Sequence, residues 1–132
     1  MLKVLVAVAA VVLLLHGLIH LMGTASYLKF ATVEGLPYKT TVLGGRWDLG
    51  AGGIAAFGVL WGMAALGFVA TALAFWFGWS WWQPALVGVT LVSLVLTALD
   101  WDVAYAGVGI NLAILLLLWL RPSLSTWFTF GS

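Results

Sequence analysis

LGAGGIAAFGVLWGMAALGFVATALAFWFGWSWWQPALVGVTLVSLVLTAL, Leu49 to Leu99, is a run of 51 residues without a single charge. A helix crossing the hydrocarbon core of a bilayer needs about 20 apolar residues. The run is too long for one span and long enough for two with a turn between them. Its interior supplies the turn, Gly78-Trp79-Ser80-Trp81-Trp82-Gln83-Pro84. Glycine commonly ends a helix, and proline fits the first turn of the next. The reading predicts helices over 49–77 and 84–99.

Working outward, Val4 to Leu28 and Val103 to Leu120 are also free of charge. Each holds one span. The last is slightly short, about 27 Å at 1.5 Å per residue. The expected helices there are 2–27 and 103–120, with Arg121-Pro122 as the stop. Residues 28–48 form the one sizeable loop, and 122–132 a tail lying in the interface. The fold class is all-α, an integral membrane four-helix bundle in a single domain, 1–132. A cleaved signal peptide is the rival reading of the first helix, with Lys3 ahead of it and Gly23-Thr24-Ala25 as small residues near a cleavage point. Against it, the apolar run extends to Met22, past an ordinary signal core.

Composition supports the same class. Apolar types make up 64% of the 132 residues and charged types 7%, against about 45–50% and 25% in ordinary soluble domains. So apolar a chain can neither cover a soluble surface nor stay disordered. The formal net charge of +1 leaves no electrostatic footprint for nucleic acid. With no cysteine, disulfides, thiolate metal sites and thiol catalysis are excluded.

Four spans place the N-terminus, the 78–83 turn and the tail on one side of the membrane. Trp76, Trp79, Trp81, Trp82, Trp119 and Trp127 gather there, the pattern of an interfacial aromatic belt. The opposite side is polar, with Lys29, Glu34, Lys39, Arg46, Asp48, Asp100 and Asp102. His16 and His20 on the first helix and Asn111 on the last lie at comparable depth below that side, about 10–16 Å. Three basic residues in the loop against Lys3 and Arg121 on the other side do not decide orientation.

His16 and His20 are the sharpest feature. Residues four apart share a helix face, and two imidazoles there can hold a metal or ligate a macrocycle. Such a metal site wants further ligands, and the remaining donors are Asp48, Asp100, Asp102 and Asn111. Position 17 is Gly, so the zinc-protease pattern His-Glu-x-x-His is absent. The alternative is that both imidazoles hydrogen bond across the bundle, as polar side chains do between membrane helices. Asp48 and Asp102 are placed to meet helix N-termini, with Arg46 bridging to Asp100 or Asp102. Burying such groups in hydrocarbon is costly unless each finds a partner. The expectation is one inward-facing cluster of His16, His20, Arg46, Asp48, Asp100, Asp102, Tyr105 and Asn111, with His16 nearest Asn111. Gly58 and Gly62 form a small-xxx-small pair that lets helices approach closely. Trp47, Trp61 and Trp101 read as core or interface residues.

The segments His16-Gly17-Leu18-Ile19-His20-Leu21-Met22-Gly23, Glu34-Gly35-Leu36-Pro37-Tyr38, Gly44-Gly45-Arg46-Trp47-Asp48-Leu49-Gly50 and Gly107-Val108-Gly109-Ile110-Asn111-Leu112 resemble those of an uncharacterised family of small four-span bacterial membrane proteins. Its members are often labelled transporter permeases. The topology is also similar to that of DoxX-like four-helix proteins. The resemblance implies a multi-pass protein of a bacterial cytoplasmic membrane.

Three functions remain open. The first is a non-enzymatic subunit or accessory factor, as a homo-oligomer or with a membrane-protein partner in the lipid bilayer. The second is a metal- or cofactor-binding role, redox or pigment, through His16 and His20. The third is a component that moves a small solute or protons.

Overall fold

The computed structural model describes residues 1–130, and the side chains of residues 1–120. Four helices make up the fold: α1 (Leu2–Tyr27), α2 (Gly50–Phe77), α3 (Trp82–Leu99) and α4 (Trp101–Phe130). All four are long and apolar enough to cross a membrane, α4 over Trp101–Leu120. The chain is an all-α membrane-type helical bundle.

Local chemistry sets the ends. α2 stops at Gly78, whose φ of 71° is the left-handed conformation glycine adopts without a Cβ penalty. α3 begins two residues before Pro84, because a first-turn amide has no partner inside the helix and its loss there costs nothing. α4 opens with one tight turn. The Asp100 carbonyl accepts from both Val103 (3.0 Å) and Ala104 (2.9 Å), and Ala104 leaves helical geometry at φ −123°, ψ 18°. The helix then continues through Arg121-Pro122 to Phe130, where the sequence suggested a stop. Proline removes one amide donor but leaves the flanking amides free to pair. The interfacial tail, with the Trp127 contribution to the belt, lies outside the described side chains.

The loop is more ordered than its sequence suggested. Strands β1 (Thr41–Val42) and β2 (Trp47–Asp48) pair antiparallel, Thr41 opposite Asp48 and Val42 opposite Trp47. The signal was present as Thr40-Thr41-Val42 and Arg46-Trp47-Asp48 around Gly44-Gly45, β-favouring residues flanking a glycine turn. The hairpin is fastened to the bundle by the Leu43 amide, which donates to the Leu99 carbonyl at 2.8 Å. Val42 is fully buried among Tyr27, Ile54, Phe57, Trp61, Ala64 and Leu96.

That cluster fills the loop half of the bundle. A second one, Leu13, Phe68, Ala72, Leu86 and Ile114, fills the far half. α1 packs on α2, α2 on α3 and α3 on α4, but among the described residues α1 and α4 close no comparable seam. The most extensive contact is α1 on α2. A Cβ at Gly58 would stand 2.9 Å from Tyr27 Cβ, and one at Gly62 would stand 3.0 Å from Thr24 Oγ1. The Thr24 hydroxyl donates to the Gly58 carbonyl at 2.8 Å. From the α1 side, a Cβ at Gly17 would meet Phe68 Cβ at 2.7 Å. Gly58→Leu should therefore force the two helices apart, costing about 2–3 kcal/mol as overpacking does. Unfolding in mixed detergent–SDS micelles measures it, and an unchanged midpoint would mean that the seam is not as tight as drawn.

Candidate functional site

Between the two apolar clusters lies a polar layer to which α1, α3 and α4 contribute. His16 Nε2 is 2.9 Å from Asn111 Oδ1. His20 Nδ1 is 2.7 Å from the His16 carbonyl oxygen, and its Nε2 is 2.6 Å from Ser93 Oγ. Asn111 Nδ2 reaches Ser93 Oγ at 2.8 Å and Thr97 Oγ1 at 3.3 Å. Thr97 Oγ1 donates to the Ser93 carbonyl at 2.8 Å. His20, Ser93, Thr97 and Asn111 are all buried to within 2% of complete. α2 supplies no polar member, only aromatic walls. The His16 ring centroid stands 4.8 Å from that of Phe68, and the His20 centroid 5.1 Å from that of Trp61.

The proton positions follow from elementary bookkeeping of donors and acceptors. A carbonyl only accepts, so His20 Nδ1 carries a hydrogen. In the neutral ring Nε2 is then a bare lone pair, and Ser93 must donate to it. Thr97 has likewise spent its hydrogen on the Ser93 carbonyl. Both hydroxyl oxygens can now only accept, so the Asn111 face turned toward them must be the amide NH2. Its carbonyl oxygen consequently faces His16, which must be protonated at Nε2. The result is a closed circuit from His16 through Asn111 and Ser93 to His20 and back to the His16 backbone. Every named group uses its donors once, and the two histidines hold opposite tautomers.

The arrangement bears on metal binding. Both nitrogens of His20 are occupied, so ligation by the pair would break its bond to Ser93 or to the His16 carbonyl. No group of three or more His, Asp or Glu residues with metal-site geometry occurs among the described residues.

A second polar centre sits at the loop end. Asp100, 1% exposed, receives the Tyr27 hydroxyl at Oδ2 and the Lys39 ammonium at Oδ1, the latter at 2.7 Å. Lys39, carried by the loop just before β1, therefore takes the place the sequence reading gave to Arg46. Arg46 is exposed on the hairpin turn and lines a surface groove with Asp102, but the two form no ion pair. The reason is the hairpin, which turns Arg46 outward and brings Lys39 back over the α3–α4 turn. Asp48 is also exposed. It takes the Gly50 amide at 2.9 Å, one position ahead of the N-cap residue Leu49. That bond, and secondarily the Thr40 side chain, hold its carboxyl below the usual carboxylate range. The interaction stands above that range and is lost as pH falls through the lowered value. Asp102 lies in the first turn of α4. Tyr105 is 61% exposed, on the outer face of α4 beside Trp101, and takes no part in the cluster.

The single expected cluster is thus two centres plus an exposed rim. His16, His20 and Asn111 form the inner one, Asp100 anchors the outer one, and Arg46, Asp48, Asp102 and Tyr105 belong to neither. Ser93, Thr97 and Tyr27 escaped the sequence reading, which placed Lys39 on the polar side without its partner Asp100. A signal for the first two existed: Thr90, Ser93 and Thr97 recur at i, i+3 and i+7, a polar stripe on one face of an apolar helix.

Between α1 and α4, where the seam is open, lies a cavity of about 250 Å³. Its floor is His16, His20, Trp61 and Thr97, its walls include Ile19, Met22, Ala106 and Ile110, and Glu34 stands at its rim. Fold and site together define a small multi-pass helical membrane protein with a hydrogen-bonded polar core. No family model, curated protein or solved structure matches the chain.

Proposed function

We propose that the protein is a non-enzymatic accessory factor or subunit that works by association within the bilayer. The observation supporting this most directly is the closed hydrogen-bond circuit. A nucleophile or ligand pair needs uncommitted reactive atoms aimed at a reactant, whereas His20, Ser93, Thr97 and Asn111 direct theirs at one another and His16 Nδ1 alone is left over. Such a circuit fixes the rotation of three helices about their axes, which suits a rigid packing unit. The resemblance of its motifs to small bacterial four-span proteins supports a cytoplasmic-membrane setting, with a homo-oligomer or another membrane protein as the partner.

Copurification from the native membrane followed by native mass spectrometry tests the proposal. The expected result is a stoichiometric complex or oligomer that survives replacement of both His16 and His20 by Gln with the fold intact. A strictly monomeric, partner-free chain would contradict it. So would a bound haem or metal that disappears in the double variant.

A further inference from the structure

We propose that the α1–α4 cavity is a binding site for an uncharged, ring-headed lipid bearing a hydroxyl group. This goes beyond the accessory role and does not depend on it. Three features define the ligand. First, the circuit leaves one atom of His16 unused. Its Nε2 donates to Asn111, so Nδ1 is a bare acceptor, and no partner for it occurs among the described residues. His16 lines this cavity. An acceptor at this depth in a bilayer is costly if left unmet, and a ligand O–H supplies the missing donor.

Second, among the described residues the only charged one lining the cavity is Glu34. With no cation to meet a phosphate, the site disfavours the anionic head of an ordinary phospholipid. The space of about 250 Å³ takes a substituted ring and is too small for a macrocycle.

Third, a second, apolar cavity of about 400 Å³ lies farther along the same two helices, between Leu5, Val8 and Val12 on α1 and Ile114 and Leu117 on α4, with Phe75, Trp82 and Leu86 also lining it. From Met22 to Leu5 the α1 wall extends about 26 Å at 1.5 Å per residue, close to the thickness of a bilayer's hydrocarbon core. One molecule with its ring at the histidine floor and an alkyl or isoprenoid tail along the lower groove fills both spaces. The lateral opening lets it enter from the membrane.

The test uses the full chain in nanodiscs of phosphatidylethanolamine and phosphatidylglycerol, so that ordinary phospholipid is always present as competitor. The probes are 4-dodecylphenol and its methyl ether 4-dodecylanisole, equal in ring and tail and differing in the donor. Saturable binding is read by isothermal titration against empty nanodiscs. The phenol is expected to bind at least about tenfold more tightly than the ether, the ratio that one buried hydrogen bond of roughly 1.4 kcal/mol gives. Ala106→Phe and Ile110→Trp, both at exposed positions on the cavity wall, should fill the space. Each should weaken phenol binding by a further factor of about ten with the unfolding midpoint unchanged. No saturable binding of the phenol, equal binding of the two probes, or unweakened binding by the two variants would overturn the proposal. Because no partner protein is present, these outcomes leave the accessory role untouched.

Discussion

Asp100→Ala is expected to be the most damaging single substitution at the loop end of the bundle. It removes a fully buried carboxylate that holds the Tyr27 hydroxyl and the Lys39 ammonium together. Breaking a buried pair by deleting one partner costs about 3–5 kcal/mol, because the surviving charge is left without compensation. Lys39 is 23% exposed and can turn toward water, so the lower end, about 3 kcal/mol, is expected. The loss should also free the loop, since Lys39 is its only ion pair to the helices among the described residues. Asp100→Asn, which still accepts from Tyr27, should fall between the two. Unfolding in mixed micelles gives the energies, and amide hydrogen exchange at residues 39–48 reports the loop. An Asp100→Ala protein of wild-type stability with a protected hairpin would mean that the triad does not fasten the loop.

Asn111→Leu should have the next largest effect, roughly 2–3 kcal/mol. Leucine has nearly the shape of asparagine, so packing changes little. Three hydrogen bonds vanish together, however, leaving the His16 N–H without an acceptor and the Ser93 and Thr97 oxygens without donors. Bonds between membrane helices are individually modest. The cost arises from orphaning several buried groups at once. Ser93→Ala should cost less, since Asn111 keeps His16 and Thr97 while His20 keeps the His16 carbonyl. If Asn111→Leu and Ser93→Ala were equally mild, the four side chains would not act as a unit.

What could be read from the sequence follows from what each signal encodes. Charge-free gaps report spans directly, so four helices were legible from nine charged positions. Depth was legible too, because rise per residue is fixed, and His16 and Asn111 do lie at one level. Rotation about the helix axis was harder. Tyr105 and Asn111 are six residues apart, which at 100° per residue turns them about 120° from each other. With Asn111 facing inward, Tyr105 has to face out. Ser93 and Thr97 went unnoticed because hydroxyls are ordinary in membrane helices, where they bond to the preceding turn. Only their shared face with Thr90 distinguishes them. The Lys39–Asp100 contact was beyond reach, because it depends on a hairpin whose reversal carries Lys39 inward and Arg46 outward. The Gly58/Gly62 pair was legible as a close-packing face. Gly17, its counterpart on α1, carries no repeated spacing to mark it.

The closed circuit underlies the structural role, and the tautomers of its two histidines put it to the test. Solid-state 15N NMR of the imidazoles in lipid bilayers distinguishes a protonated from a bare ring nitrogen at each position. The expected spectrum has His20 protonated at Nδ1 and bare at Nε2, with His16 protonated at Nε2 and bare at Nδ1. Loss of the His16 assignment in Asn111→Leu would tie the tautomer to its partner. Two histidines in the same tautomer, or shifts showing both rings averaging between forms, would contradict the circuit and the structural role drawn from it.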